Sequence, residues 1–412
     1  MLSIILGYEA RAQFGNSPYS SIGPGLPIKQ GLVQQNGMGG AGLAYNNDLM
    51  LNLLNPAANV RNQVTSFDAG FGVELKDVSS AERTSQLTSG SLSYLALGFP
   101  IIRQRWFSAV TVEPVTDVDY SLVGEAPING FPGGVSVFSK EGQGGITKVK
   151  LANSVAIFDN LSVALGFSYF FGAVNDETTI TLSTDTLQRN SPAIYLNALS
   201  FNDVAFSGSL LYSLNLDNDR AINAGLSFEP ETAVASSREL TLRPQAPTPE
   251  RRVDTVSSIN GDVILPRQVG LGLSFSKKYS YVVAADVTMA SWSDYRGIDG
   301  SPNNNLQNNL ALALGGEWIP DASSVNNYFK RAAYRTGFRY GQTPFQLEGT
   351  NINEWGMSLG FSFPLNNFSN MNFSMEYGQR GTTRNGLAQE NFFRLYLGFS
   401  YSDQWFIRRR YN

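Results

Sequence analysis

The sequence predicts an all-β protein, a transmembrane antiparallel barrel of about fourteen strands with its N-terminal segment lodged inside the lumen. Three observations carry that expectation. From Thr65 onward, bulky apolar residues alternate with small or polar ones at period two, the spacing of strands with two unlike faces. The second face is mostly glycine, serine and alanine, where the outer face of a soluble sandwich would carry Lys, Glu and Thr. The N-terminal segment apart, no stretch approaches the roughly 20 consecutive apolar residues of a membrane helix.

Composition fits this class. Of 412 residues only 16% are charged and 12% aromatic, with 40 glycines and 18 tyrosines. That is poor in charge for a soluble protein. The formal net charge of −4, with no dense basic patch, argues against a nucleic-acid partner. Neither cysteine nor histidine occurs. Histidine-dependent serine triads, cysteine proteases and His/Cys zinc sites are therefore excluded. No cofactor, no metal and no enzymatic activity are expected.

Along the chain, residues 1–12 read as a truncated signal peptide ending in the small-x-small pattern Ala10-Arg11-Ala12. Residues 13–64 form an arm and a hatch. The arm, Gln13–Gln35, is rich in Gly, Pro and Ser and carries no period. Asn36–Asn59 is the stretch around which the rest is organised. Gly37, Gly39, Gly40 and Gly42 let the backbone turn and would weaken any sheet pairing. Asn55-Pro56-Ala57 then opens a helix, with Asn55 as cap and Pro56 at the first helical position.

The barrel is expected over residues 65–403. Its segments run approximately 65–75, 90–99, 106–122, 141–157, 161–185, 193–215, 221–242, 253–276, 280–294, 308–319, 329–341, 353–363, 371–380 and 390–402. Phe67, Phe71, Val73 and Leu75 oppose Asp68, Gly70, Gly72 and Glu74, and later segments repeat the pattern. Asp68, Glu74, Asp286, Arg335, Arg339 and Glu376 fall on the small-residue face and should look into the lumen. Facing lipid near the midplane, each would cost about 2–4 kcal/mol if basic, less if acidic. An even strand count returns the chain to its starting side. Turns such as Phe158-Asp159-Asn160 and Asp217-Asn218-Asp219 are tight. Alternate connections such as Val123–Lys140, Arg243–Arg252 and Asp294–Gln307 are longer, the expected contrast of periplasmic turns with outer loops. Trp106, Trp292, Trp318, Trp355 and Trp405 lie near segment ends, as an aromatic girdle at the headgroup level requires. Residues 404–412 form a periplasmic tail, where Arg408-Arg409-Arg410 reads as a solvated stop.

Gly37-Met38-Gly39-Gly40-Ala41-Gly42-Leu43-Ala44, the acid Asp48, and Asn55-Pro56-Ala57 together resemble the hatch of the FadL/TodX family of outer-membrane hydrophobic-compound transporters. Leu265–Leu273, Ala284–Val287 with Trp292-Ser293, and Tyr334–Tyr340 resemble its later strands. The resemblance implies a fourteen-stranded barrel whose hatch blocks the lumen, integral to a Gram-negative outer membrane. It implies uptake of a hydrophobic small molecule, long-chain fatty-acid-like or aromatic, which leaves sideways into outer-membrane lipid. The arm Gln13–Gln35 does not align with the family's N-terminus, which helps form the ligand pocket there. A related barrel in type IX secretion has the same architecture and carries protein cargo.

Other chemistry weighs little. Gly37–Gly42 matches G-x-G-x-x-G in form, but Gly31–Asn36 supplies no β-branched strand before it. The pairs Asp217/Asp219 and Asp117/Asp119 read as solvated turn or loop residues rather than ligands. Three functions follow from the sequence. The first is a hatch-gated channel for hydrophobic small molecules. The second is a non-transporting accessory barrel that binds other outer-membrane proteins in a secretion or barrel-assembly machine, an idea raised by the unaligned arm and by loops such as Gly130-Phe131-Pro132. The third, an outer-membrane enzyme, is weakest because it lacks histidine.

Overall fold

The computed structural model describes residues 17–80, 84–127, 135–183, 193–244, 254–366 and 369–403. The leader, the Gly130–Pro132 loop, Trp405 and Arg408–Arg410 lie outside the described residues. Fourteen staves form one closed antiparallel sheet. They are β1 (Thr65–Ser79), β2 (Thr84–Ile102), β3 (Trp106–Pro127), β4 (Val135–Phe158), β5 (Leu161–Ser183), β6 (Ala193–Leu216) and β7 (Arg220–Glu229 with Thr232–Pro244). The circuit continues with β8 (Asp254–Leu265 with Gln268–Lys277), β9 (Tyr281–Ala290), β10 (Asn309–Trp318), β11 (Ala333–Leu347), β12 (Thr350–Pro364), β13 (Asn370–Gly381) and β14 (Gln389–Asp403). β14 pairs β1 in unbroken register from Gln389↔Ser79 to Asp403↔Thr65, which closes the ring.

Two predicted strands are broken. The alternation in residues 221–242 and 253–276 predicts continuous strands, yet each is interrupted, at Pro230–Glu231 and at Pro266–Arg267. Proline cannot donate to a ladder, so a strand carrying one must bend or stop there. The two breaks fall on neighbouring staves: Glu229 pairs Gln268, and Thr232 pairs Leu265.

Sidedness follows the alternation. On β1, Phe67, Phe71, Val73 and Leu75 are outward and exposed, whereas Asp68 and Glu74 are 2% and 3% exposed on the inner face. No helix among the described residues is long and apolar enough to cross a membrane. At the end where β1 begins (the near end), connections such as Asp159-Asn160 and Asp217–Asp219 are tight, and Asn218 and Asp219 adopt positive φ. Length does not sort strictly by end: residues 319–332 form a long near-end connection, and the far end has a tight turn. Glu348-Gly349 joins β11 to β12 as a two-residue hairpin with both residues at positive φ, a geometry matched to strand twist.

The ladder is also incomplete between β2 and β3. β2 and β3 pair only from Ile102↔Trp106 to Leu95↔Val112. Just beyond, β3 carries Pro114 and a register shift before Thr116, and the two staves are no longer joined. The short strand Leu26–Pro27 of the arm pairs β3 there instead, opposite Asp117 and Thr116.

Candidate functional site

Two structures occupy the lumen, and each is built from N-terminal residues. At the near end, one turn of helix (Val33–Asn36) leads into Gly37 and then Gly39 and Gly40, whose φ of 70° and 91° few other residues adopt. This backbone lies directly on inner-face glycines of the wall. A Cβ on Gly315 would stand 2.6 Å from Met38 Cβ, and one on Gly337 would stand 2.5 Å from Met38 O. One on Gly360 would meet Gly37 Cα at 2.9 Å, and one on Gly272 would meet Leu43 Cβ at 2.7 Å. The small face of the sequence pattern is thus clearance for another backbone.

Hydrogen bonds fix the same segment. Asp286 Oδ2 accepts from the N–H groups of Gly42 (2.6 Å) and Leu43 (2.8 Å). Ser358 Oγ accepts from Gly39 N (2.8 Å) and donates to Gly37 O (3.0 Å). Ser274, Ser154 and Ser162 donate to the carbonyls of Ala44, Pro56 and Ala57 at 2.7–2.8 Å. Asn55 caps a 3₁₀ helix, Pro56–Arg61, by accepting from Ala57 N at 3.1 Å, while its amide donates to Leu43 O and, on β6, Leu210 O. Asn52 went unnoticed in the sequence and sits at the centre. Its amide nitrogen donates to Gly42 O (2.7 Å) and Tyr45 O (2.9 Å), and its backbone N–H donates to Asn59 Oδ1 (2.7 Å). An asparagine between leucines gives no pattern to find it by. At the near-end rim Lys278 Nζ meets Asp48 at 2.5 Å. That hydrogen bond raises the lysine pKa.

The far end is closed by the arm. Tyr19 and Ile22 are buried with Val118, Tyr120, Ile146, Phe170, Phe201, Tyr295 and Phe345 in one apolar cluster. Tyr19 stacks on Phe345 with ring centroids 6.1 Å apart, and its hydroxyl donates to Ala388 O. Trp292, expected in the girdle, packs against this cluster from a 3₁₀ turn beyond β9. Its strand ends at Ala290, and the chain then turns inward. The other described tryptophans face outward. Trp318 is beside Tyr334, Trp355 beside Tyr377, and Trp106 is exposed at the start of β3.

Between the two closures lies a cavity of about 380 Å³ lined by both charged and apolar groups, including Lys29, Lys148, Lys150, Glu229, Arg339 and Leu54. Its wall on β1 and β11–β14 is a buried ion network. Glu74 pairs Arg394 and Lys76, the latter at 2.7 Å. Arg380 bridges Glu354 (2.5 Å) and Glu390 (2.9 Å), and Arg339 pairs Glu354 and Glu376. Lys29 of the arm reaches Glu376 at 3.6 Å, and Arg394 lies 3.9 Å over the ring of Phe392. Nearer the hatch, Arg335 pairs Glu317 (2.6 Å), whose carboxylate also accepts from Tyr45 (3.1 Å). Asp68 accepts from Tyr94 (2.7 Å) and from Ser400. All six charges singled out in the sequence are therefore on the inner face and partnered. Asp217 and Asp219 lie in an exposed turn. Asp117 and Asp119 do not match expectation. They are buried within β3 against the arm, because Pro114 and the register shift beyond it leave this edge for the arm to cover. No group of described acidic residues is arranged to hold a metal ion.

Three comparisons bear on this architecture. A family model described as BamG matches residues 1–412. No curated protein sequence matches. Among solved structures, a Pseudomonas aeruginosa FadL homologue is similar at a TM-score of 0.56 and 12% identity, covering 92% of this chain and 98% of that one. The toluene transporter TodX of P. putida gives 0.54 and 14%, covering 91% and 98%. A TodX deltaS2S3 mutant, a monoaromatic hydrocarbon channel, gives 0.57 and 15%, covering 92% and 100%. At such identities the likeness is one of fold.

Proposed function

We propose a function from one premise: the chain belongs to the BamG family, whose model spans it from end to end. On that premise the protein is an accessory barrel of the Gram-negative outer membrane. It works by binding other outer-membrane proteins in an assembly or secretion machine, and its own lumen is kept shut. The observation that carries this reading is the double closure. A hatch seated on wall glycines shuts the near end, and an arm with its apolar cluster shuts the far end. Between them, interleaved acids and bases line much of the route. A hydrophobic molecule gains little by crossing such a network, since most of the ion pairs it disturbs are buried. The residues of Gly37–Ala57 then act as a fixed core of the barrel, held by Asp286 directly and by Arg335 through Glu317 and Tyr45, while Asp68, Glu74, Arg339 and Glu376 brace the wall and the arm around it.

Purification in a gentle detergent tests this. A stoichiometric outer-membrane partner is expected, and recovery of the monomer alone overturns the reading. The second reading is the gated channel for long-chain fatty-acid-like or aromatic compounds. It is favoured by the fold shared with FadL and TodX structures and by the cavity between the closures. Ligand uptake into liposomes that depends on residues 36–59 would establish it.

A further inference from the structure

The interruption between β2 and β3 carries an inference that rests on the accessory reading and extends it. Past Leu95↔Val112, β3 pairs with the chain's own arm instead of with β2. The arm treats β3 as a strand edge. Ile28 N–H donates to Val115 O (2.9 Å), Ser17 N–H donates to Asp119 O (2.9 Å), and Gln30 donates to Pro114 O (2.8 Å). It is nevertheless a poor strand. Only Leu26 and Pro27 are in register, Pro27 has no N–H to give, and Gly23 and Gly25 on its path adopt positive φ. Asp117, opposite Leu26, is 3% exposed and keeps Oδ2 without a hydrogen-bond donor among the described residues. A sheet edge held by a weak surrogate, next to a buried acceptor that lacks a donor, suits a better strand.

We propose that this seam is a strand-exchange site. An extended segment of a partner outer-membrane chain, carrying a lysine or arginine, displaces the arm from Val115–Asp119 and pairs with β3. Its cationic side chain meets Asp117. Recognition is through main-chain hydrogen bonds, so the partner needs an extended backbone with one well-placed base and no long shared sequence.

The test places a photo-crosslinking residue on the two lips of the seam, at Ser91 and at Val123, with Leu271 on the opposite wall as control, in cells carrying the full chain. Adducts with a second outer-membrane protein are expected at both lips and not at Leu271. The variant Ile28→Pro, which deletes the donor to Val115, should raise the yield about fivefold, the factor equivalent to about 1 kcal/mol for one lost hydrogen bond. Folding of each variant is checked by the heat-dependent gel mobility of the closed barrel. Equal adducts at seam and control, or adducts with lipid and the chain's own arm alone, overturn the proposal. If a partner co-purifies but crosslinks from another face, the accessory reading stands and the seam proposal falls. If Asp117→Asn leaves the adduct yield unchanged, the claimed cation contact is wrong.

Discussion

The near and far ends of this barrel are both closed by the first sixty-odd residues, but by different physics. At the near end, backbone rests on glycine backbone, and serine, aspartate and asparagine side chains supply short-range bonds. At the far end, apolar rings pack around Tyr19, and the arm adds a few main-chain bonds and scattered side-chain bonds to the wall, from Ser17, Tyr19, Ser20, Lys29 and Gln30. Directional bonds over close contacts permit one arrangement and fail abruptly when it is disturbed. Apolar packing tolerates shifts and fails gradually. The near end is therefore built as a fixture and the far end as a closure that can be exchanged.

Several changes would break or sharpen that contrast, and the cysteine-free chain makes single-cysteine labelling a clean readout. The largest effect is expected from Phe345→Ala, which empties a fully buried site in the far-end cluster and should cost about 3–5 kcal/mol. A thiol placed at Ser20 should become reactive while one at Ala41 stays protected. Equal exposure of both would mean that the two ends form one unit. Asp286→Ala comes next, since it strips the acceptor from two buried N–H groups and should cost about 3 kcal/mol, with the thiol pattern reversed. Gly315→Ala should cost about 1–3 kcal/mol by overpacking against Met38. Its neighbour Gly316→Ala, whose Cβ would meet nothing closer than Val282 O at 3.7 Å, should stay within about 0.5 kcal/mol by denaturant titration. The contact with Asp48 raises the Lys278 pKa, so its stabilisation is complete below the free lysine value and is lost as pH rises past it. Half-exposed, this pair is worth at most about 1 kcal/mol. Protease nicking near Asp48 should increase slightly between about pH 9 and pH 11.5, the range spanning the lysine midpoint.

Much of the wall was legible because alternation is a local property of the chain. Phe67 to Leu75 declares two faces without reference to anything else. The breaks at Pro230 and Pro266 were legible too, had the missing donor been given its weight against the surrounding β-pattern. What lies inside was legible only in part. Asn55 announces its cap by the proline that follows, whereas Asn52 acts through carbonyls brought near by the fold. The glycines of β10 and β11 read as a small face, but nothing local says that Met38 will rest on them. The fate of Asp117 was hidden for the same reason: its burial depends on an arm ninety residues upstream.

The seating of Met38 against Gly315 and Gly337 has a consequence for biogenesis. A core keyed that closely to β10 and β11 has no room to slide in endwise once β14 has met β1. The wall must therefore be wound around its own N-terminus, with the final edge-to-edge zipping as the last step. Pulse-labelled chains should shield a thiol at Ala41 before they acquire heat-resistant mobility. If shielding came only afterwards, the core would have to thread a finished tube.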